Sequence, residues 1–351
     1  MTFHSSRSGR WNLALAFFVV IGLSACAARF LQHEHADEVL KNKEFEDKVM
    51  IKTVETPPKV EVQPLPSMPQ PEAEKAGKKR KGIAKGKVSP QKEAVKAKGP
   101  RQPELEDAEG FDGRRPLKDP FRVGEKVTLS LSYFSVNAGT MDIEVKPFVE
   151  VNGEKAYHFQ VSARSNSFFS RIYAVDDVAK TYMSFKEMTP MSLEISIKES
   201  KQLAETRTFF DWKNLKASYW QKRITQENGE QSKKLEWNIH NFSQNVVSAA
   251  YYLRTFKYDI GKNLSFRVAD EGKNIIYAGE VLRKEKLSTD IGDLDTIVVR
   301  PKLTVDGVFS PVGEILLWIT DDDRKFIVRI ESKIKIGTVV AKLKSIEKGL
   351  E

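Results

Sequence analysis

From Glu125 onward the apolar residues of this chain fall mostly on every second position, and the pattern persists for more than one hundred residues before a helical period appears. Side chains in a strand point to alternate faces, so such a run describes half-buried strands in an antiparallel β-domain. Glu125 to Tyr133 puts Val127, Leu129, Leu131 and Tyr133 on one face. Asn137, Ala138 and Gly139 read as a tight connection, after which Thr140 to Val149 resumes with Met141, Ile143 and Val145 in register. Asn152-Gly153 is a hairpin signal, and Tyr157 to Ala163 returns from it. Ala179 to Phe185, Leu193 to Lys198, and Leu203 to Trp212 follow as strands, parted by Pro190 and the polar Glu199-Ser200. Leu215 to Arg223 and Ser232 to Ile239 flank a second hairpin at Asn228-Gly229.

The period changes once. Between Asn245 and Phe256, the residues Val246, Val247, Ala249, Ala250, Leu253 and Phe256 recur at helical spacing, with Ser243 as the expected N-cap. Strands then resume at Asn263 to Ala269, Asn274 to Arg283, Leu294 to Arg300 (ended by Pro301), Glu314 to Thr320, Phe326 to Lys333 and Gly337 to Ile346. The expected fold is mainly β: a curved antiparallel sheet forming a partly open barrel-like domain over residues 121–347, with one covering α-helix as plug or lid.

The amino terminus is of another kind. Arg7 and Arg10 precede an apolar run from Trp11 to Leu23, shorter than the roughly 20 residues of a spanning helix. Leu23-Ser24-Ala25-Cys26 then supplies small residues before the single cysteine of the chain. This is the order of a secretory signal, and those four residues resemble the bacterial lipobox. The resemblance implies removal of residues 1–25 and acylation of Cys26, with anchoring through more than one acyl chain because one alone binds only marginally. Ala27 stands where an aspartate would resemble an inner-membrane retention signal, so the expected site is the outer membrane, facing the periplasm.

Residues 26–50 are a polar segment with a short exposed helix at most. From 51 to 120 the prolines Pro57, Pro58, Pro64, Pro66, Pro69 and Pro71 lead into a basic stretch, and aromatic residues are absent from Ile51 to Gly110. Such text buries too little to offset its ordering entropy and reads as a disordered tether that holds the domain off the membrane. Lys78 to Arg101 holds ten basic residues against the one acid Glu93, which matches the formal charge of +9 of the whole chain. The remainder is therefore near neutral. The basic stretch reads either as a solubilising linker with no partner or as a contact for phospholipid, lipopolysaccharide phosphate or peptidoglycan carboxylate, and export argues against nucleic acid.

Several stretches carry a second resemblance. Gly124-Glu125, Tyr133 and Ala138-Gly139 come first. Val247 to Arg254 follows, ending in a Leu-Arg pair, with Gly261 beyond it. Leu317 to Asp322, Val328-Arg329-Ile330 and Ile336 to Leu343 complete the set. Together, over about 123–345, they resemble the DUF3108 family of bacterial proteins. That implies an envelope location and a β-rich, partly open barrel, and no established activity. Ile327 stands where the family has a proline, a departure expected to alter only an edge strand.

Chemistry-bearing residues are sparse. No Ser lies in a nucleophile-elbow motif, the histidines (His158 and His240 within the domain) are scattered, and nothing calls for a metal or other cofactor. Asp321, Asp322 and Asp323 read as a turn. Arg254, Asp321 and Arg329 are the candidate polar contacts, with Asp321 and Arg329 near one another across a hairpin. Strand aromatics such as Tyr157, Phe159, Phe209, Trp212, Phe266 and Trp318 read as core first and cavity lining second. The leading reading is a non-catalytic module binding an envelope lipid, glycan or partner protein. An alternative is an assembly role on peptidoglycan or an envelope complex. A third is a carboxylate-dependent hydrolase using Asp176 and Asp321. The anchor is directly testable: Cys26→Ser should abolish incorporation of labelled palmitate and shift the protein from the membrane to the soluble fraction, and an unlabelled native chain would refute the anchor.

Overall fold

The structure, a computed structural model, describes residues 30–31, 41–54, 111–112, 115–116, 118–305, 308–310, 314–334 and 337–350. The expected signal, Cys26 and most of the spacer lie outside these residues.

Near the amino terminus come α1 (Lys43–Glu46) and the strand β1 (Ile51–Thr53), then the two-residue strands β2 (Phe111–Asp112) and β3 (Arg115–Pro116), which pair only with each other. The first half of the domain is β4 (Glu125–Tyr133), β5 (Val136–Val151), β6 (Glu154–Ser165), β7 (Asp176–Ser184), β8 (Pro190–Lys198), β9 (Gln202–Asp211), β10 (Lys216–Thr225) and β11 (Gly229–Asn238). After α2 (Val246–Leu253) come β12 (Asn263–Asp270), β13 (Lys273–Thr289), β14 (Gly292–Val305), β15 (Val308–Ser310), β16 (Glu314–Thr320), β17 (Ile327–Ile334) and β18 (Gly337–Lys348).

One antiparallel sheet takes these strands in the order β11-β10-β9-β8-β7-β6-β5-β4-β18-β17-β16-β14-β13-β12, with β1 beside β5 and β15 beside β14. The two halves meet where the first and last strands of the domain pair, from Tyr133 opposite Val339 to Glu125 opposite Lys348. The edges β11 and β12 do not pair, so the barrel stays open. The gap is laced by the backbone of Gln244, whose N–H donates to Arg267 O at 2.8 Å while its carbonyl accepts from Ala269 N at 2.8 Å. Phe210, Ala217, Ile239 and Ala269, with Trp212 and Trp237, pack across it.

The helix is a plug. Six of its eight residues are buried, leaving no solvent face. Asn245 caps it: its Oδ1 accepts from Val247 N and Ser248 N, and Ser248 Oγ accepts from Asn245 N. Ser243, the expected cap, instead donates to His240 O at 2.9 Å. The helix starts two residues late because Gln244 is held extended in the bridge to Val268. On one side of the plug Tyr251 stacks on Phe159 at 3.9 Å and Phe159 on Tyr157 at 5.3 Å. On the other side Tyr252 meets Phe266, which stacks on Tyr277 at 4.6 Å.

Other expectations need correction. The β4–β5 turn is at Phe134 and Ser135, both at positive φ, while 137–139 lie within β5. Gly139 is needed for close approach, since a Cβ there would lie 2.0 Å from Arg164 O on β6. Pro301 lies inside β14, in the gap between the residues paired with β16 (296–299) and those paired with β15 (303–305). One side of the ladder is already vacant there, which is where a residue lacking N–H is tolerated. Ile327 begins β17, an interior strand between β16 and β18.

The segment before the spacer is docked. Asn42 caps α1, Phe45 and Val49 are buried, and with Val149, Val151, Ala156, Tyr182 and Trp220 they cover the outer face of the sheet. Ile51, assigned to the spacer from sequence, pairs with Val151. Leu31 donates its backbone N–H to Glu199 O at 3.0 Å and packs on Leu203 and Ile224. On the far side of the spacer, Phe121 is buried in the core.

Candidate functional site

Because neighbouring strands alternate in direction, the sheet has two rims. One carries the β4–β5, β6–β7, β8–β9 and β10–β11 connections. The other carries the β5–β6, β7–β8 and β9–β10 connections and the entry to the helix. The predicted site residues are distributed over this frame and do not converge.

Arg254, at the C-terminal end of α2, is buried against Glu125, the first residue of β4; their side chains are 3% and 2% exposed. Its Nη1 and Nη2 both donate to the Glu125 carboxylate, Nη2 also reaches Pro120 O at 2.9 Å, and Nε donates to Arg324 O at 2.9 Å. Arg324 Nη2 takes the second oxygen of Glu125 at 2.6 Å and also donates to Lys348 O. The Arg254 guanidinium lies 5.1 Å from the Phe121 ring and 5.0 Å from that of Phe326. The contacts of this cluster tie helix, strand and turns together.

Asp321 and Arg329 are not brought together. Asp321 accepts from Lys284 Nζ at 2.7 Å, and Arg329 pairs with Glu331 with its guanidinium 5.0 Å from the Trp318 ring. They diverge because Trp318, not Asp321, is opposite Arg329, and a bulge then shifts the register. Asp176 is bound to Arg164 Nε at 2.7 Å.

Sequence reasoning missed a different pair of carboxyls. Asp177 on β7 and Glu199 after β8 are both buried. Tyr173 Oη and Gln202 Nε2 donate to Glu199, and Asp177 accepts from Lys198 N at 2.9 Å. Burial first, and the charge of Glu199 second, push the Asp177 carboxyl up to about 8. No signal marked it, since Asp176-Asp177 looks like any acidic turn until the strand pairing buries one of the two. His158 is pushed down to about 4, chiefly by burial and then by Lys180 and Lys146, and its ring lies 4.8 Å from Tyr182.

The helix rim bears an open cleft of about 370 Å³. Phe209, Phe210 and Trp212 give it aromatic walls, while Glu154, Glu187 and Asp211 bring carboxylates to its edge. Trp212 is held by its indole N–H on Pro190 O at 2.7 Å. Beside it, Lys155 Nζ sits 4.1 Å from the rings of both Phe148 and Phe185. The cleft is formed by turn residues of three hairpins, which no single stretch of sequence could reveal. Among the described residues no group of three or more His, Cys, Asp or Glu is placed to hold a metal, and no helix is long and apolar enough to cross a membrane.

The architecture is that of an open, β-barrel-like domain plugged by one helix. Residues 128–344 match the family described as DUF3108, a protein of unknown function, and the chain belongs to that family. No curated protein matches the chain. Among solved structures it is similar to a β-barrel-like DUF1849 protein from Brucella abortus, at 11% identity and a TM-score of 0.40 over 64% of this chain and 97% of that one. It is also similar to a "putative lipoprotein" from Parabacteroides distasonis, at 12% identity and 0.31 over 66% and 99%. A third is a "putative exported protein" with a YmcC-like fold from Bacteroides fragilis, at 9% identity and 0.29 over 66% and 99%.

Two outcomes follow from the buried charges. Arg254→Ala leaves the buried Glu125 with Arg324 as its remaining cation and should cost about 3 kcal/mol in denaturant unfolding, more than Glu125→Met with Arg254→Met together. Equal losses would refute the assignment. For Asp177, the folded state keeps a proton that the unfolded chain loses above the ordinary value of 3.8, so stability falls as pH rises toward about 8. His158 acts oppositely, adding stability as pH rises from about 4 to 6.5. Above that range Asp177 acts without it, so Asp177→Asn should flatten the decline in urea midpoint between about pH 6.5 and 8.5. An unchanged slope would refute it.

Proposed function

We propose that this protein is an exported envelope lipoprotein, acylated at Cys26 and held on the outer membrane. Its DUF3108 domain acts as a non-catalytic module that binds an envelope ligand at the cleft of the helix rim. The observation that carries the reading is that cleft: flat aromatic walls beside carboxylates, open to solvent, on a rigid sheet. Aromatic faces with polar groups at the edge suit a hydroxyl-rich ring, because the ring's C–H face packs on the aromatic while its hydroxyls meet the carboxylates. A glycan is thus favoured over the lipid or protein ligands. The concave face, where an acyl chain would lie, is occupied by α2 and its stacked aromatics.

A non-enzymatic role is supported by the state of the acids considered for hydrolysis. Asp176 and Asp321 are each committed to an ion pair, with Arg164 and Lys284. Asp177 and Glu199 are buried beneath the opposite rim. The assembly reading keeps one observation in its favour, the exposed apolar side chains of that opposite rim.

Native mass spectrometry of the protein purified gently from envelope extract should find a discrete added mass of glycan size. Trp212→Ala should lose it while circular dichroism still reports the native sheet. A bare native chain, or an adduct retained by that variant, would overturn the cleft as the ligand site.

A further inference from the structure

The rim opposite the cleft exposes large apolar side chains where water would favour polar ones. Phe134 is 66% exposed, Phe168 61% and Ile172 52%. Phe134 and Ser135 also occupy the two central positions of the β4–β5 turn at φ 48° and 63°, a conformation that Asn and Gly adopt readily and a bulky aromatic does not. An exposed Phe held in the left-handed region contributes nothing to the core, and strain of this kind gathers at functional surfaces.

These residues share one rim. Asn166, which opens the loop bearing Phe168 and Ile172, donates its backbone N–H to Ala138 O at 2.9 Å and its amide to Asn137 O at 2.7 Å, so the loop sits beside the β4–β5 turn. The far end of the loop is joined to the β8–β9 turn, where Ser200 N donates to Ala174 O and Ala174 N to Ser200 Oγ. Leu31 is bonded to Glu199 in that same turn, and Phe30 next to it is exposed.

The sequence adds a length. Cys26 is five residues before Leu31. A fully extended chain covers about 3.3–3.6 Å per residue, so Cys26 reaches at most ~18 Å from the Leu31 contact. Strands of nine to ten residues separate the two rims, which at about 3.3 Å per residue is ~30 Å. The Cys26 backbone, where the acyl chains begin, therefore stays within reach of the near rim and falls short of the rim with the cleft. Arg171 and Lys198, both exposed at the near rim, add positive charge where phospholipid headgroups would lie.

We propose that this rim is the membrane-contacting face of the domain, with Phe134, Phe168 and Ile172 seated in the interface of a phospholipid bilayer. The inference rests on acylation of Cys26 as read above. It fixes the orientation of the molecule: the cleft faces away from the lipid.

Because acylation consumes the one native cysteine, an introduced cysteine is the only free thiol of the mature protein. Full-length acylated protein carrying Phe134→Cys, Phe168→Cys or, on the cleft rim, Asn214→Cys would be spin-labelled. Each would be placed in vesicles of phosphatidylethanolamine and phosphatidylglycerol. Accessibility to oxygen and to a water-soluble nickel complex then reports depth. Labels at 134 and 168 should show high oxygen and several-fold lower nickel accessibility than the label at 214, which should resemble one in water. If all three read as aqueous in a chain whose mass confirms the acyl chains, the rim is not a lipid face; a protein partner would then be its occupant, and the proposal falls while the anchor stands. If the mass shows no acyl chains, the anchor falls and the orientation argument with it. The labelled sites are exposed in the native fold, so unchanged unfolding curves separate either result from misfolding.

Discussion

The Glu125 carboxylate is the joint on which the domain closes. It is buried at the start of the first long strand, and through Arg254 and Arg324 it ties that strand to the end of the plug, to the β16–β17 turn and to the carbonyl of Lys348 at the end of the last strand. An open sheet of this size has two unpaired edges, and apolar packing alone does not specify how far it should curl. A buried ion pair with its remaining hydrogen bonds satisfied is directional, so it fixes the register between helix and sheet where non-directional packing would leave several arrangements close in energy.

Closure at that joint gives the barrel two unlike ends. On one, hairpin turns bring aromatic walls and carboxylates to an open cleft. On the other, short turns lift apolar side chains into solvent beside the point where the chain from the amino terminus arrives. The strap of residues 41–54 runs over the outer face and buries Phe45 and Val49 there, so the domain reaches closer to the amino terminus than its β-pattern suggests.

Legibility followed the range of the interaction. Period two placed the β4–β14 and β16–β18 strands and period 3.6 placed α2, because each depends on where neighbouring side chains point. Asn152-Gly153 announced its turn because both residues take positive φ there, whereas Phe134-Ser135 takes the same kind of turn against its composition and was passed over for Asn137 to Gly139. Ser243 lost the cap to Asn245 through a long-range bridge. Arg254 is held in the ion pair with Glu125, and Asp321 and Arg329 serve separate local pairs.

By itself the sequence determined the class of the fold, the place of its helix, the family, and the single thiol behind an apolar run. All of these are encoded in adjacent residues or in their spacing. Only the tertiary structure decided that the helix is a plug, that burial raises the Asp177 carboxyl, that three hairpins build one cleft, and that Leu31 is pinned at the rim opposite it. Each of those depends on residues far apart in the chain becoming neighbours, and a curled sheet makes neighbours by strand order, which no local pattern contains.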